Sequence, residues 1–398
     1  MTAPLPDTHR HWMRRAIRLA MNGRGRVEPN PMVGCVVTSA DGTRVLGEGF
    51  HERFGGPHAE PNALAACAAA GASPAGATAY VTLEPCCHTN KKTPPCVPRL
   101  IEAKVARVVV GCVDPDPNVD GRGVRQLREA GIDVVTGVLE AECKQLIAPF
   151  VAHTVHRRPY VTLKWAETSD GKVAGPGGRR VQISGPESQR LVHQLRARSG
   201  AVLVGINTVL ADDPLLTPRG VEPARPSIRV VLDRRLRIPL QSRLVRSLNE
   251  AALIVGTTAA AAASAPDKVA ALRAAGAVVL EWERLETALF ELADVAGIAH
   301  LLVEPGPTLA QSFIERGLAD RVWLFRSPDA MNDPSAPAAA RVPYTPIAEM
   351  SVGRDNLTEY LNPASPVYFA PEPSADWVLA AAALAAPAPA GDENAPVQ

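Results

Sequence analysis

Residues 57–70 read PHAEPNALAACAAA, and residues 77–86 read ATAYVTLEPC. The first stretch is rich in Ala, which has the highest helix propensity, and it stops at Gly71, so it predicts a helix. The second begins with a short apolar run containing Val, Thr and Tyr, which predicts a strand. This unit carries His58 at the start of the helix and Cys86 shortly after the strand.

Helices and strands alternate on both sides of this unit. Before residue 150 the pattern predicts helices at 9–21, 57–70, 94–104 and 124–130, and strands at 32–38, 45–50, 77–83, 107–111 and 132–136. Farther along it predicts strands at 160–165, 201–205, 229–232, 253–255, 278–280, 300–303 and 322–325, and helices at 184–198, 266–275, 285–293 and 308–317. Ser184 is the expected N-cap of helix 184–198. The alternation is typical of α/β sheets with helices on both faces.

The chain divides into three predicted segments. Its 398 residues are too many for one ordinary domain and suit two. We predict a first domain over residues 1–150, a second over residues 151–330, and a Pro- and Ala-rich extension over residues 331–398. No strand pattern is evident beyond residue 325, and from about residue 370 the composition predicts disorder apart from one short Ala-rich helix.

The overall composition argues against several classes of function. The formal net charge is +1, which gives no electrostatic footprint for a nucleic acid or a membrane surface. No stretch of about 18 apolar residues suggests a membrane span, and the N-terminus lacks the apolar core of a signal peptide. The seven cysteines are therefore expected to be buried or metal-binding rather than disulfide-bonded. We expect a cytoplasmic enzyme.

Four residues have the chemistry of a zinc-dependent deaminase. His58, Cys86 and Cys96 supply one imidazole and two thiolates, which leaves a fourth position of the metal open, as in catalytic zinc sites. Zinc lowers the pKa of a bound water to about 7, and Glu60 can carry a proton from that water to the leaving amino group. The order H-x-E, then P-C, then C is the signature of zinc deaminases that act on nucleobases.

The predicted helices support this cluster. His58 and Cys96 fall near predicted helix starts, where the partial positive charge of the helix favours a thiolate over a thiol. Residues i and i+2 point in different directions on a regular helix, so His58 and Glu60 can share a site only in an irregular first turn. The sequence places them there, directly after Pro57.

Six short blocks of the first domain resemble one known family, the bifunctional deaminase–reductases of riboflavin biosynthesis. The blocks are NPMVG at 30–34, GEGFH at 47–51, GGPHAE at 55–60, TLEPC at 82–86, TPPC at 93–96 and DPDPNV at 114–119. The resemblance extends over nearly all of residues 9–325. It implies a cytidine-deaminase-like three-layer α/β/α fold for the first domain, with one zinc ion per chain.

Cys87 competes with Cys86 as a zinc ligand. The family usually has eight residues between its two zinc cysteines, whereas Cys86 and Cys96 enclose nine and Cys87 and Cys96 enclose eight. We favour Cys86 because it directly follows Pro85 and because the family often has Ser where Cys87 stands. The additional residue then falls in the loop at residues 89–92, where an insertion costs little free energy.

The second domain resembles the reductase half of the same family. The matching blocks are YVTLK at 160–164, SDGK at 169–172, VGINTVLADDPLLT at 204–217, RVVLD at 229–233 and VEPGPTL at 303–309. The resemblance implies a dihydrofolate-reductase-like α/β fold that uses NADPH. It assigns the cofactor to Ala166, Gln182, Thr208, Asp212, Gly306, Pro307, Thr308 and Leu309, and the substrate to Arg180, Arg196, Leu216, Arg219 and Glu304.

The residues themselves support part of this assignment. Gly306 ends a predicted strand before a helix, where backbone N–H groups can cradle a phosphate, and Arg196 and Arg219 can bind a sugar phosphate bidentately. No G-x-G-x-x-G motif follows a strand, so a Rossmann cofactor site is not indicated. The sequence departs from the family at Pro305, where a Gly is common, and at Arg180, where a Ser is common.

The expected function is two consecutive steps of riboflavin synthesis. The resemblance implies hydrolytic deamination of 2,5-diamino-6-(5-phosphoribosylamino)pyrimidin-4(3H)-one, followed by NADPH-dependent reduction of the ribosyl group to ribityl. The expected partners are this small phosphorylated pyrimidine and further copies of the chain in a homo-oligomer, with no nucleic acid and no membrane. Three alternatives stay open: a deaminase with a degenerate reductase domain, a non-catalytic zinc-stabilised binding protein, and a nucleic-acid-editing deaminase. Glu60 beside an open metal position counts against the second, and the near-zero net charge counts against the third.

Overall fold

The computed structural model describes residues 7–88, 93–116, 119–223 and 225–369. Within these ranges the chain forms two separate sheets, and both are flanked by helices. The loop at residues 89–92 and the Ala-rich helix predicted after residue 370 lie outside the described residues. Among the described helices, none has the length and apolar character needed to cross a membrane.

The first sheet has five strands: β1 (Gly34–Thr38), β2 (Val45–Phe50), β3 (Thr78–Leu83), β4 (Arg107–Cys112) and β5 (Asp133–Thr136). Their order is β2-β1-β3-β4-β5. β1 is antiparallel to β2 and to β3, whereas β3, β4 and β5 are parallel. Every residue of β1 and of β3 is buried, as expected for central strands that are covered on both faces.

Six helices surround this sheet: α1 (Asp7–Ala20), α2 (Ala59–Ala69), α3 (Cys96–Glu102), α4 (Arg122–Glu129), α5 (Glu140–Leu146) and α6 (Ala148–Thr154). α2, α3 and α4 pack on one face through side chains such as Ala63, Leu100 and Leu127. α1 and α5 pack on the other face through Met13 and Cys143, and α6 extends the same apolar cluster. The predicted three-layer α/β/α arrangement of the first domain is confirmed.

The second sheet has nine strands: β6 (Tyr160–Glu167), β7 (Ala201–Gly205), β8 (Ile228–Leu232), β9 (Leu253–Thr257), β10 (Val278–Glu281), β11 (His300–Val303), β12 (Arg321–Arg326), β13 (Pro346–Val352) and β14 (Asp355–Leu361). Their order is β10-β9-β8-β7-β11-β6-β12-β14-β13. β6 to β12 are parallel. The carboxyl ends of β7 and β11 are therefore neighbours at one edge of the sheet.

Seven helices belong to this second sheet: α7 (Pro186–Ala197), α8 (Ile206–Asp212), α9 (Arg243–Arg246), α10 (Ala259–Ser264), α11 (Pro266–Ala274), α12 (Leu285–Asp294) and α13 (Pro307–Glu315). α7 and α11 bury Leu191 and Leu272 on one face, and α12 and α13 bury Leu292 and Phe313 on the other. The helices α5, α6, α8, α9 and α10 were not predicted from the sequence. These helices have four to seven residues, too few for a helical period to be recognised.

The expectation that no strand follows residue 325 is wrong. β13 and β14 form a hairpin, and β14 pairs antiparallel with the whole of β12. β13 lies at the sheet edge and is mostly exposed, so its sequence PIAEMSV carries no continuous apolar run. Such polar edge strands have a weak sequence signal. The second sheet consequently continues past residue 330, the boundary chosen from the sequence.

The hairpin also supplies the N-terminal cap of α7. Ser184 was the expected cap, but Gly185 occupies the N-cap position and has no side chain to offer. The carboxylate Oδ2 of Asp355, at the start of β14, accepts hydrogen bonds from the Gly185 N–H at 2.7 Å and from Ser188 Oγ at 2.6 Å. A residue distant in sequence thus satisfies the helix end, which local sequence patterns cannot reveal.

The two sheets meet at a buried junction. Tyr160, at the start of β6, packs into the core cluster that lies against the first sheet, and its hydroxyl accepts a hydrogen bond from Gln145 Nε2 at 3.1 Å. Val367, near the end of the described chain, joins the same cluster. The Arg158 guanidinium binds both carboxylate oxygens of Asp320 at 2.7 Å. The segment between the sheets is therefore fixed by packing and by a buried ion pair.

Candidate functional site

His58, Cys86 and Cys96 converge in the first domain, and their ligand atoms all lie within 4.8 Å of one another. Nδ1 of His58 is 3.6 Å from the sulfur of Cys86 and 3.5 Å from that of Cys96. His58 is the N-cap of α2, and its backbone is extended, with φ −75° and ψ 176°. Cys96 is the first residue of α3, and its backbone N–H points at the Cys86 sulfur at 3.4 Å.

The donor chemistry of these residues fits zinc. One imidazole nitrogen and two thiolate sulfurs are preferred zinc ligands, and three protein ligands are typical of catalytic sites. The sulfur of Cys87 is outside this group, and the Cys87 side chain packs against the apolar cluster between the sheet and its helices. The geometry thus favours Cys86 over Cys87. The loop at 89–92, which would hold the additional residue, lies outside the described residues.

Glu60 lies in the first turn of α2 and points to the same place. Its side chain is only 3% exposed and lines a cavity together with His58 and Cys86. The extended backbone of His58 explains how residues two apart can share a site, because His58 precedes the regular helix. Burial raises the pKa of the Glu60 carboxyl, and the neighbouring Cys86 adds to the rise.

The cavity in front of the cluster has a volume of about 340 Å³. Its polar wall includes the amide of Asn30, the imidazole of His51 and the carboxyl of Asp114. Asn30 Nδ2 and His51 Nε2 are 3.2 Å apart, and the other His51 nitrogen lies 2.9 Å from the Pro57 carbonyl, so the ring is held in place. Burial raises the pKa of Asp114 to about 7. The sequence analysis quoted these residues within motifs but gave them no role.

Two further residues support the site and were not predicted to do so. Thr93 Oγ1 lies 3.0 Å from Nε2 of His58, on the ring nitrogen that faces away from the sulfurs. Glu84 is buried, and its carboxylate accepts backbone N–H groups from Asp114 at 3.2 Å, Gly121 at 2.9 Å and Val124 at 3.0 Å. Glu84 thereby ties the end of β3 to the start of α4. Both residues fall within blocks that the sequence analysis quoted, TPPC and TLEPC.

In the second domain, Arg196 and Glu304 form a bidentate ion pair. The distances are 2.6 Å from Nε to Oε1 and 2.7 Å from Nη2 to Oε2, and both side chains are largely buried. Burial would raise the pKa of Glu304, but Arg196 outweighs it and lowers the pKa below its usual value. The sequence analysis assigned both residues to the substrate and did not predict that they bind each other.

His193 and Lys164 complete this charged group. Arg219 is exposed and donates its backbone N–H to His193 Nδ1 at 3.2 Å. Burial, with the charges of Arg196 and Arg219, lowers the pKa of His193 to about 4. Lys164 Nζ lies 5.3 Å above the ring of Phe325, and burial lowers its pKa while Glu304 opposes that shift. Neither His193 nor Lys164 was among the predicted site residues.

The expected cofactor residues gather at the carboxyl ends of β7 and β11. Gly306 is the N-cap of α13, Pro307 is its first residue, and the next two N–H groups belong to Thr308 and Leu309. Gly205 is the N-cap of α8, and a Cβ placed on it would lie 3.6 Å from the Leu309 side chain. The starts of these two helices are therefore adjacent, and at the corner that they form the N–H groups of two first turns can bind an anion.

The remaining predicted residues lie on several elements of the second domain. Thr208 is partly exposed on α8, and Arg180 lies close enough to Asp212 to oppose the rise that burial causes in the pKa of that carboxyl. Ala166 is half-buried in β6. Gln182 is exposed and donates its side-chain amide to the Ser184 carbonyl at 2.7 Å. The side chain of Leu216 is buried in the core, so only its backbone can face a ligand.

Two protein-family descriptions match separate parts of the chain. The cytidine and deoxycytidylate deaminase zinc-binding region matches residues 6–112. The RibD C-terminal domain matches residues 159–333. The first match contains the His58, Cys86 and Cys96 cluster, and the second contains the Arg196–Glu304 pair and the start of α13.

Known proteins are similar to most of the chain. Riboflavin biosynthesis protein RibD of Aquifex aeolicus is 40% identical over 329 residues, which cover 82% of this chain and 89% of that protein. Its namesake from Actinobacillus pleuropneumoniae is 40% identical over 340 residues, which cover 82% and 87%. The crystal structure of a diaminohydroxyphosphoribosylaminopyrimidine deaminase/5-amino-6-(5-phosphoribosylamino)uracil reductase from Thermotoga maritima is 36% identical, covers 89% of this chain and 99% of that one, and superposes with a TM-score of 0.76. The chain therefore belongs to the RibD family of bifunctional deaminase–reductases of riboflavin biosynthesis.

Proposed function

We propose that His58, Cys86 and Cys96 hold one zinc ion and that Glu60 is the proton carrier of a hydrolytic deamination. One observation carries this proposal: an imidazole and two sulfurs converge beside a buried carboxylate at the wall of a cavity. When bound, zinc supplies a water that is activated at neutral pH. The position of the buried Glu60 carboxylate beside these ligands suits a group that accepts a proton and then releases it to the leaving amino group.

The substrate of this first step is 2,5-diamino-6-(5-phosphoribosylamino)pyrimidin-4(3H)-one. A cavity of about 340 Å³ is at the lower end of the range for small-molecule sites, which suits a single ring. Asn30, His51 and Asp114 offer donors and acceptors to the edge of that ring. The phosphoribosyl group then extends towards the open side of the cavity. We assign this step to residues 1–150, together with the packing that Tyr160 and Val367 add.

The second step is the NADPH-dependent reduction of the ribosyl group, which we assign to residues 151–330 together with the hairpin that follows them. NADPH, which supplies a hydride, binds at the corner formed by the starts of α8 and α13. The residues proposed to hold it are Ala166, Gln182, Thr208, Asp212, Gly306, Pro307, Thr308 and Leu309. Pro305 and Pro307 have no N–H, so the phosphate donors on this segment are Gly306, Thr308 and Leu309.

The charged group beside this corner is proposed to bind the sugar phosphate. Arg196 already holds Glu304 with two hydrogen bonds, so its role is to orient that carboxylate for the ribose hydroxyls. Arg219 is exposed, and within the part of the chain that the structure describes its hydrogen bonds go to His193 alone, which leaves donors for the phosphate. Arg180 and the backbone of Leu216 border the same space.

We further propose that the protein acts in the cytoplasm on this small phosphorylated pyrimidine, as a homo-oligomer, without nucleic acid or membrane partners. Ammonia release from the pyrimidine substrate by purified protein, followed by NADPH oxidation, tests both steps. Ammonia release with no NADPH oxidation would favour the alternative of a degenerate reductase domain. If the protein neither releases ammonia nor oxidises NADPH, the alternative of a zinc-stabilised binding protein is favoured.

A further inference from the structure

A group of arginines gathers where the first domain touches the second sheet. The loop at residues 24–28 packs against the end of α7, and a Cβ placed on Gly25 would lie 2.8 Å from the Cα of Arg198. The amino ends of β11 and β12, at His300 and Arg321, lie at the same junction. The charge of Arg24 lowers the pKa of His300, and the charge of Arg321 lowers the pKa of Arg24, so both residues are close to Arg24. This edge is opposite to the carboxyl edge where the reductase site lies.

Positive charge exceeds negative charge in this group. It contains five arginines and two glutamates, which we call the arginine cluster: Arg24, Arg26, Arg198, Arg225, Arg321, Glu28 and Glu359. Arg321 Nε lies 3.0 Å from Glu359 Oε1, and Arg225 Nη2 lies 4.0 Å from Glu28 Oε2. Glu28 is further engaged by the Gly25 N–H at 2.9 Å. Glu359 is thus paired with Arg321, whereas Oε2 of Glu28 is buried and has no hydrogen-bond partner among the described residues.

Three guanidinium groups of the cluster have no direct side-chain partner within the described ranges, although Glu359 and Glu28 lie near enough to Arg24 to act on its charge. In the part of the chain that the structure describes, the side chains of Arg24, Arg26 and Arg198 make no hydrogen bond and no ion pair. Burial, together with the charges of Arg321 and Arg198, lowers the pKa of Arg24 to about 10, and Glu359 and Glu28 oppose this shift. Burial and Arg26 lower the pKa of Arg198 as well. A guanidinium carries five N–H donors, and those of these three arginines reach solvent, so they are available to a ligand.

We propose that the arginine cluster is an anion-binding site at the junction of the two domains and that its ligand is a phosphate group. The planar fork of a guanidinium binds phosphate oxygens in pairs, and several arginines around one phosphate are a common arrangement. The phosphate can be inorganic phosphate or the phosphate ester of a sugar. A bound phosphate, with a charge of about −1.5 to −2, would offset most of the excess positive charge and connect the loop at 24–28 to α7.

Thermal unfolding of the full-length, zinc-loaded protein tests this site. Sodium phosphate is compared with sodium chloride at equal ionic strength, for the wild type and for Arg24→Gln, Arg26→Gln and Arg198→Gln. Arg246→Gln, on the exposed side of α9, is the matched control. A ligand that binds only the folded state raises the Tm by mass action. We expect phosphate to raise the Tm of the wild type and of the control by several degrees, and Arg24→Gln to lose at least half of this rise.

Arg219→Gln separates this site from the reductase site, which we propose also binds a phosphate. If Arg219→Gln abolishes the rise while Arg24→Gln keeps it, phosphate binds the reductase site and the proposal is overturned. No rise in the wild type overturns it too. Because Arg26 is exposed, Arg26→Gln should fold even if the Arg24 variant does not, and an undiminished phosphate response in Arg26→Gln and Arg198→Gln would also overturn the proposal.

Calorimetric titration identifies the source of the phosphate. Inorganic phosphate and ribose 5-phosphate are titrated separately into the Arg219→Gln protein, in which the reductase phosphate site is disabled. Binding of inorganic phosphate that weakens at least tenfold in the Arg24→Gln/Arg219→Gln double variant supports the site. If ribose 5-phosphate binds more tightly than inorganic phosphate, the ligand of the site is a sugar phosphate. If neither compound binds, the proposal is overturned. Ammonia release and NADPH oxidation are measured in parallel, because their failure bears on the enzyme function and not on this site.

Discussion

The hydroxyl oxygen of Thr93 lies 3.0 Å from Nε2 of His58, while Nδ1 of the same ring faces the sulfurs of Cys86 and Cys96. The two ring nitrogens therefore have different tasks. With Nδ1 left unprotonated to bind a metal, Nε2 carries the proton and donates it to the Thr93 hydroxyl. Such a second contact fixes the tautomer and the orientation of a metal-binding imidazole.

We expect Thr93→Val to weaken zinc binding about 10–100-fold, because a metal-binding His that loses its second hydrogen bond is less well oriented. Valine has nearly the same shape as threonine, so the cavity is preserved. Competition with a chelator of known affinity measures the change. Thr154→Val, at the exposed end of α6, is the control and should leave the zinc affinity unchanged. Equal affinities of the two variants would contradict the role of Thr93.

Cys86→Ser should lose zinc, whereas Cys87→Ser should retain about one zinc per chain. The sulfur of Cys86 is in the ligand group, and that of Cys87 is not. The two substitutions make the same chemical change at adjacent positions, so each is the control for the other. Metal analysis after dialysis is the measurement. Retention of zinc by the Cys86 variant together with loss by the Cys87 variant would reverse our assignment.

Glu60→Gln should keep zinc and lose deamination by about 10²–10⁴-fold, the usual contribution of a general acid–base group. An amide has the shape of the carboxyl but cannot carry the proton. Ammonia release and zinc content are measured on the same sample, and the exposed Glu52→Gln serves as the control. NADPH oxidation with the deaminated pyrimidine should be unchanged. Near-normal ammonia release would exclude this role.

The zinc cluster could be predicted because its chemistry is concentrated in short motifs at the ends of regular elements. His58 and Cys96 begin helices, and Cys86 closely follows a buried strand, so the α/β pattern brings them together. Thr93 and Glu84 were missed because a hydroxyl or a carboxyl next to a motif has many possible partners. Only the fold reveals that Thr93 reaches the ring of His58.

The second domain was predictable in its strands and helices but not in its contacts. Arg196 and Glu304 are 108 residues apart in sequence, and each alone looks like a ligand-binding residue. The pairing depends on β11 lying between β7 and β6, an order that the sequence pattern does not specify. The hairpin of β13 and β14 escaped prediction for a similar reason, since its partners are distant and its edge strand is polar.

The contact between this hairpin and α7 gives a stability prediction. Asp355→Ala should lower the free energy of unfolding by about 1–2 kcal/mol, because the Gly185 N–H and the Ser188 hydroxyl lose a buried acceptor. Urea unfolding measures the loss. Asp267→Ala, in the exposed first turn of α11, is the control and should cost less than about 1 kcal/mol. An equal loss in both variants would mean that Asp355 does not cap α7.

The bidentate pair of Arg196 and Glu304 gives a prediction for the reductase half. In Glu304→Gln the carboxylate is lost but Arg196 stays in a largely buried place. We expect NADPH oxidation to fall by at least tenfold and ammonia release to remain. The variant should also be less stable at pH 7 by about 1.5–3 kcal/mol, the range for hydrogen bonds to charged groups. Glu315→Gln, on the exposed end of α13, is the control.

The pH dependence of that stability difference tests the cause. Arg196 holds the pKa of Glu304 below its usual value, despite burial, so the folded state binds this proton more weakly than the unfolded state. Because the pKa of Glu304 is lower in the folded state, its ionised carboxylate stabilises the fold at pH values above the unfolded-state pKa of about 4.3. This stabilisation is lost as the pH falls through the folded-state pKa. The difference between wild type and Glu304→Gln should therefore be constant from pH 6 to 7 and narrow below about pH 4. Both proteins lose zinc in acid alike, so the comparison isolates Glu304. A difference that stays constant down to pH 3 would show that packing, and not the ion pair with Arg196, is what the variant disrupts.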